Sequence, residues 1–167
     1  MAVVTTLAFG AAAVTAAAAA RPHGERVTVP PPQLRVMDGD TAEIRWSAAD
    51  VETVRVLGID TPELRARDGL GRSRFDARGA EARGFARGAF TIAGRIELLR
   101  CGRLDVYRRT LGYFFLDGRN YSVLALEAGL ARETITRYGD NGLPEQAREV
   151  MAVAGRSGKN RPNRRLP

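Results

Sequence analysis

The chain has 167 residues, a length typical of one domain, and a net charge of +7 that comes almost entirely from arginine, because Lys159 is its only lysine. Its single cysteine, Cys101, excludes an internal disulfide and a cysteine-rich metal site. Its single histidine, His23, excludes a histidine-based triad or metal site in the chain that follows it.

The basic charge favours a polyanionic partner such as nucleic acid. Arginine presents a planar fork of donors that fits phosphate oxygens. Charge alone does not distinguish an enzyme from a binding protein, or from a basic protein that uses its arginines on membranes or acidic polymers. The sequence has no amphipathic basic helix of the kind that would support membrane binding.

Residues 1–20 carry no charged side chain and are rich in alanine, and they end in Ala18, Ala19 and Ala20 before Arg21. Small residues at the end of an uncharged N-terminal segment are typical of a secretory signal peptide. We therefore expect residues 1–20 to be a signal peptide and the mature protein to be secreted or periplasmic. The alternatives are a wrongly assigned start, a disordered tail, or a retained membrane anchor, for which alanine is only weakly hydrophobic.

Residues 21–32 end in three consecutive prolines, which predicts a stiff, extended linker. Alternating apolar and polar residues then predict strands over 34–36 and 41–46, joined at an Asp-Gly dipeptide that is typical of a hairpin. A third strand is predicted over 54–59. The arginine-rich and glycine-rich residues 64–76 are expected to form a long loop.

Ala82, Phe85, Ala89 and Ile92 lie at helical spacing and predict the first helix. Two further strands are predicted over residues 96–99 and 111–116, and two further helices over residues 121–131 and 144–154. Residues 157–167 combine glycine, proline and arginine, and we expect them to be a basic, disordered tail.

This order of elements predicts an α+β fold. Five short strands with a helix after the third match a five-stranded Greek-key β-barrel of the OB type, here with about three helices. We expect residues 33–156 to form this domain and the protein to be a monomer.

Arginines and acidic residues are expected to meet at strand ends. Arg55 falls on the same predicted face as Leu57 and Ile59, and an arginine on an apolar face is costly unless a carboxylate or an anionic ligand pairs with it. Asp60 and Glu63 follow that strand directly. The pattern predicts a charged pocket, although each piece alone is equally typical of a turn, a helix start or a structural ion pair.

Arg109 repeats this pattern, because it is predicted to share a strand face with Leu111, Tyr113 and Phe115. Four blocks then resemble, in order and spacing, the signature blocks of the staphylococcal nuclease (thermonuclease) family. They are VMDGDT at 36–41, RVLGIDTPE at 55–63, DVYRRTLGY at 105–113 and EAGLA at 127–131.

The resemblance implies a calcium-dependent nuclease that hydrolyses phosphodiester bonds of DNA or RNA with little sequence specificity and leaves 3′-phosphate ends. It implies that Asp40 and Asp60 bind Ca²⁺ through their carboxylates and Thr61 through its backbone carbonyl. Calcium prefers such hard oxygen ligands and needs neither histidine nor cysteine.

The resemblance also implies the catalytic residues. Glu63 would orient or deprotonate the attacking water, and Arg55 and Arg109 would hold the phosphate and stabilise its transition state. A carboxylate near water is a credible base, and arginine forks neutralise charge on phosphate oxygens.

The chain departs from the family pattern at four positions. Arg108 stands where the family has glycine, and Ser122 belongs to an altered helix start. Ile135 and Arg137 stand where the best-known member has tyrosines that line its nucleotide pocket.

Tyr107, Arg108 and Tyr138 are the candidate substrate-binding residues, since an aromatic ring can stack on a base. The alternative function is a non-catalytic OB-fold module that binds nucleic acid. Such modules lose the acids or the arginines, whereas this chain keeps both.

Overall fold

The computed structural model describes residues 21–67 and 72–159. The predicted signal peptide at residues 1–20 lies outside the described residues, as do residues 160–167 of the predicted tail. Within the described part of the chain, no helix is both long enough and apolar enough to cross a membrane.

The described residues contain eleven strands and four α-helices. The strands are β1 (Arg26–Thr28), β2 (Leu34–Val36), β3 (Thr41–Arg45), β4 (Val51–Val56), β5 (Ile59–Asp60), β6 (Arg65–Arg67), β7 (Ser73–Phe75), β8 (Ile96–Leu104), β9 (Thr110–Leu116), β10 (Arg119–Asn120) and β11 (Arg132–Glu133). The helices are α1 (Ala77–Ile92), α2 (Tyr121–Glu127), α3 (Ile135–Tyr138) and α4 (Pro144–Lys159). A single 3₁₀ turn, Pro31–Gln33, precedes β2.

Seven strands form one mixed sheet in the order β1-β8-β9-β4-β3-β2, with β10 paired to β9. All its neighbours are antiparallel except β4 and β9, which run parallel. Two small sheets pair β5 with β11 and β6 with β7. The predicted α+β class is confirmed, but the described strands outnumber the predicted five, because short segments without clear alternation also pair.

The hairpin predicted at the Asp-Gly dipeptide is confirmed, since β2 pairs with β3 in the register Leu34↔Ile44. The predicted third strand is displaced toward the N-terminus. It ends at Val56, and Gly58, with φ of 81°, turns the chain before β5. Arg55 therefore does not share a strand face with Leu57 and Ile59, as the alternation predicted.

Part of the predicted linker at residues 21–32 is folded into the domain. β1 pairs with β8 in the register Val27↔Leu98, and Val29 is completely buried in the core. The Val29 amide donates to the Ile96 carbonyl at 2.8 Å. Val27 and Val29 are only two alternating apolar residues, and this pattern is too short to predict a strand.

The helices differ from the predictions mainly at their ends. α1 begins at Ala77, where the Asp76 carboxylate accepts from the Arg78 amide and caps the helix. α2 stops at Glu127, because Gly129 adopts a φ of 72° that ends the helix. α4 continues to Lys159, beyond the predicted domain end at residue 156.

A buried ion pair joins β4 and β8. Glu52 of β4 accepts 2.8 Å hydrogen bonds from Arg100 Nε and Nη2, from Trp46 Nε1 and from Thr110 Oγ1. The Glu52 and Arg100 side chains are only 2% and 4% exposed. Burial alone would raise the pKa of Glu52, but these hydrogen bonds outweigh it and lower the pKa below its usual value.

Candidate active site

Arg55 brings two carboxylates together. Its Nη1 pairs with the Asp40 carboxylate, and its Nη2 lies 2.8 Å from Asp60 Oδ1. The Asp40 side chain is 6% exposed, whereas that of Asp60 is 60% exposed, so the group opens to solvent on the Asp60 side. Register explains the meeting: Thr41 of β3 lies opposite Arg55 of β4, which places Asp40 beside the guanidinium.

The turn that carries Asp40 is held on several sides. Asp40 Oδ2 accepts from the Thr61 amide at 2.8 Å, and the Tyr121 hydroxyl donates to the Gly39 carbonyl at 2.6 Å. A Cβ added to Gly39 would lie 2.7 Å from Thr61 Oγ1 and 2.9 Å from the Cβ of Ala82. Only glycine allows this close approach of the turn to α1 and to Thr61.

Asp38 also lies in this cluster of acidic and arginine side chains, although no role is predicted for it from its sequence motif. Its Oδ1 accepts from the Asp40 amide at 3.2 Å. Burial raises the pKa of Asp38, and a hydrogen bond with Thr41 and the positive charge of Arg55 oppose this only in part. The place of Asp38 two residues before Asp40, in the same turn, could have indicated that the two carboxylates lie close together.

The turn after β4 carries Asp60 and Thr61, and α2 holds it. The Leu57 amide donates to the Gly112 carbonyl at 2.9 Å, and the buried Ser122 Oγ donates to the Leu57 carbonyl at 2.8 Å. The departure at Ser122 is therefore structural. Its hydroxyl fixes the segment that leads to the carboxylate of Asp60.

Arg109 reaches the same region from the segment before β9. Its Nη1 donates to Thr41 Oγ1 at 3.4 Å, and its Nε donates to Asp105 Oδ2 at 2.7 Å. Asp105 Oδ1 also accepts from the Arg109 amide at 2.9 Å. Burial opposes ionisation of Asp105, but these contacts with Arg109 lower its pKa below the usual value. No separate role is predicted for Asp105 from its place in the block at 105–113.

Arg108 adopts a backbone conformation that glycine favours. Its φ is 63°, and its amide donates to the Asp105 carbonyl at 3.0 Å. The turn before Arg109 therefore holds a non-glycine residue in the left-handed region.

Glu63 lies at the edge of this group, with its side chain exposed. It makes no hydrogen bond or ion pair with another described residue, so the structure does not bring its carboxylate onto Arg55 or Asp40. Its backbone is closely packed: a Cβ added to Gly79 of α1 would lie 2.2 Å from the Glu63 carbonyl oxygen.

A cavity of about 520 Å³ adjoins the two arginines and is lined by Arg55, Arg109 and Tyr138 among others. Tyr138 is 62% exposed and Tyr107 is 77% exposed. The Arg109 guanidinium lies 5.4 Å from the centre of the Tyr107 ring. The Arg137 guanidinium lies 5.1 Å from the centre of the Tyr138 ring, so each exposed tyrosine has an arginine over one face of its ring.

The atoms here that could bind a metal ion are oxygens. The carboxylates of Asp40 and Asp60 meet at one guanidinium, and Thr61 adjoins both. Their chemistry fits a hard cation such as calcium, which takes 6–8 oxygen ligands. Residues 21–67 and 72–159 hold no group of three or more histidine, cysteine or acidic side chains placed for a metal. Water and substrate would have to complete the coordination.

Comparison with known proteins identifies the family of the chain. The family described as staphylococcal nuclease homologue matches residues 53–160, which include Arg55, Asp60, Glu63 and Arg109. The SPbeta prophage-derived endonuclease YokF of Bacillus subtilis (strain 168) is 33% identical over 113 residues, which are 64% of this chain and 36% of that protein. The chain thus spans about a third of that relative. It belongs to the family of staphylococcal nuclease homologues.

Proposed function

We propose that the protein is a calcium-dependent nuclease that hydrolyses phosphodiester bonds of DNA or RNA. The observation that carries this proposal is the convergence of Asp40 and Asp60 on Arg55, with Arg109 hydrogen-bonded to Thr41 close by. Family membership and the endonuclease YokF support the reaction class. Arginines and a cation-binding pair of carboxylates suit a reaction that builds negative charge on phosphate oxygens.

The proposed roles follow from position and chemistry. Arg55 and Arg109 hold the scissile phosphate, since a guanidinium fork matches two phosphate oxygens. Asp40, Asp60 and the Thr61 carbonyl hold the cation. A bound calcium ion would neutralise charge on the phosphate. Phosphate binding at Arg55 competes with its present ion pairs, so Asp60, the more exposed partner, is the one expected to be released first.

Glu63 orients or deprotonates the attacking water. Its side chain is exposed and makes no hydrogen bond or ion pair with a described residue, so its carboxylate is free to accept a proton from water. The close packing of its backbone against Gly79 keeps it at the edge of the site.

The substrate is held mainly through its backbone, which gives little sequence specificity and a strong dependence on salt. Tyr107 and Tyr138 offer exposed rings for bases, and Arg108 offers a further phosphate contact. We propose that the products carry 3′-phosphate ends, as the resemblance to the staphylococcal nucleases implies. We further propose that the protein acts as a monomer after export, with residues 1–20 as the signal peptide.

The test is digestion of plasmid DNA by the protein in calcium or in a calcium chelator, alongside Glu63→Gln and Arg109→Ala. We expect cleavage only with calcium, and a loss of about 10²-fold or more in each variant. Glu145→Gln and Arg148→Ala change matching side chains on exposed positions of α4 and should leave the rate unchanged. Removal of a terminal phosphate by phosphatase, followed by 3′-extension with a polymerase, tests the polarity of the ends.

A folded protein that binds DNA but does not cleave it, with or without calcium, would instead establish the non-catalytic OB-fold module. Cleavage that survives in Glu63→Gln would leave the nuclease in place and reject the role of this carboxylate.

A further inference from the structure

A second cavity lies between β2 and α1. It is outside the catalytic group, a name used here for the proposed catalytic and metal-binding residues Asp40, Arg55, Asp60, Glu63 and Arg109. Its volume is about 440 Å³, and three arginines line it: Arg35 from β2, and Arg83 and Arg87 from α1. Arg83 and Arg87 are four residues apart and therefore project from the same face of the helix. Three positive charges around one cavity favour an anionic ligand.

Within residues 21–67 and 72–159, no acidic side chain forms an ion pair with Arg35, Arg83 or Arg87. In addition, the Nε atom of Arg83 is buried and has no hydrogen-bond acceptor among the described residues. A buried donor without an acceptor is costly, and a phosphate oxygen in the cavity would satisfy it.

The rest of the cavity wall is largely apolar. The half-buried Leu34 and Val36 supply its exposed apolar surface, and the core residues Phe90 and Ile96 lie behind them. A purely ionic ligand such as inorganic phosphate would leave this surface unused. A nucleotide would use both the arginines and the apolar wall, since it joins a charged phosphate to a base with a large apolar face.

The cavity also lies near the catalytic group along the same helix. Gly79 of α1 packs against the Glu63 backbone, and Ala82 packs against Gly39. Arg83 follows Gly79 by about one helical turn, roughly 6 Å along the axis. A strand bound at the catalytic group therefore has a second set of phosphate donors within a few nucleotides.

We propose that this cavity binds one nucleotide of a single-stranded DNA or RNA, with its phosphate on Arg83 and Arg87 and its base against the apolar wall. A duplex keeps its bases stacked and paired, so only an unpaired strand can place a base there. The inference rests on the proposed function for the identity of the strand, but binding is separable from cleavage.

Binding is measured by fluorescence anisotropy with a labelled 12-nucleotide oligothymidylate, in chelator and in a Glu63→Gln background so that no strand is cut. Arg83→Gln/Arg87→Gln should weaken binding about tenfold and reduce the slope of log affinity against log salt by about 2. The matched pair Arg119→Gln/Arg148→Gln removes the same charge from exposed positions outside the cavity and should change binding less than about threefold. Equal losses in the two pairs would overturn the proposal.

An abasic 12-mer of equal charge tests the base contact. It should bind the parent protein more weakly than oligothymidylate, and the two strands should become more alike in the Arg83→Gln/Arg87→Gln variant. Equal affinity of the two strands for the parent protein would reject the apolar subsite. If the binding difference is found but no calcium-dependent cleavage occurs in the unmodified chain, the cavity assignment stands and the proposed nuclease fails.

Discussion

The hydroxyl of Tyr121 donates a hydrogen bond of 2.6 Å to the carbonyl of Gly39 and so joins the first residue of α2 to the turn that carries Asp40. Tyr121 is 1% exposed, and burial together with the nearby charge of Asp38 raises the pKa of its hydroxyl far above the ordinary range. The hydroxyl therefore stays protonated and remains a donor at any pH at which the protein would be assayed.

Tyr121→Phe should lower both stability and activity. It leaves the buried Gly39 carbonyl without its donor, at a cost of about 1–3 kcal/mol, and loosens the turn that positions Asp40. Urea unfolding measures the first effect and kcat/KM on oligonucleotides the second. Tyr113→Phe is the control, since this hydroxyl is also buried but makes no hydrogen bond to a described residue. Equal effects in the two variants would remove the special role of the Tyr121 contact.

Gly79→Ala should displace Glu63 without altering any charged group. The added Cβ would lie 2.2 Å from the Glu63 carbonyl oxygen, so the Glu63 backbone or α1 must move. We expect a loss of about 1–3 kcal/mol in stability and a fall in kcat larger than the change in KM. Gly84→Ala, in the same helix, places the new Cβ more than 4 Å from every described atom outside its own chain neighbours and the local helix backbone.

The Gly84→Ala control should gain about 0.5–1 kcal/mol, because alanine favours a helix over glycine, and should keep full activity. A fully active Gly79→Ala would show that the position of the Glu63 backbone does not limit the reaction.

Glu52→Gln should strongly destabilise the fold. The buried Arg100 would lose its counter-ion, which costs about 3–5 kcal/mol. The pKa of Glu52 is lowered in the folded chain, so its contribution is complete above the usual pKa of 4.5 and is lost as the pH falls through the folded value. Unfolding in urea at about pH 7 and about pH 3 should therefore show a smaller pH dependence in Glu52→Gln than in the parent.

Glu127→Gln provides the contrast for Glu52→Gln. Its partner Arg119 is 64% exposed, and an exposed pair of this kind contributes at most about 1 kcal/mol. Comparable losses in the two variants would mean that the buried pair does not stabilise the fold more than an exposed one.

Arg108→Gly should stabilise the protein. Arg108 occupies a φ of 63°, which costs a residue with a Cβ about 1–2 kcal/mol, and glycine removes this cost while adding freedom to the unfolded chain. We expect a net gain of up to about 1 kcal/mol by thermal unfolding. Arg103→Gly, at an exposed position in β8, should instead lose about 0.5–1 kcal/mol.

Arg108→Gly also tests a phosphate contact. If Arg108 holds a phosphate, the variant should bind nucleic acid more weakly and with a salt slope reduced by about 1. An unchanged slope would assign Arg108 to the turn alone.

Local patterns predicted the parts of the site that are close in sequence. Asp40 follows a hairpin turn, and Asp60 follows the end of β4, so strand order alone brings them near Arg55. Glu52 could have been predicted as well. It shares a strand face with Val54 and Val56, and an acid on an apolar face requires a partner for the same reason as an arginine.

Other features depend on contacts between distant segments and leave no local pattern. Two examples are the hydrogen bond from Ser122 to the Leu57 carbonyl and the hydrogen bond from the Arg109 amide to Asp105. Serine and aspartate are equally typical of helix starts and turns, so neither contact could be predicted from the residue type. The pairing of β1 with β8 depends on the exposed edge of a long partner strand. Such contacts are selected by tertiary packing, and the segment's own composition does not reveal them.

The parallel pairing of β4 with β9 places Arg55 opposite Leu111 and so brings Arg109 to the same end of the sheet. A pairing between strands so distant in the chain closes a long loop, and its entropic cost must be met before the contact stabilises anything. The two arginines can therefore reach the same region only after the sheet is complete. A chain that is still unfolded carries every residue of the candidate site but lacks the arrangement on which the proposed reaction depends.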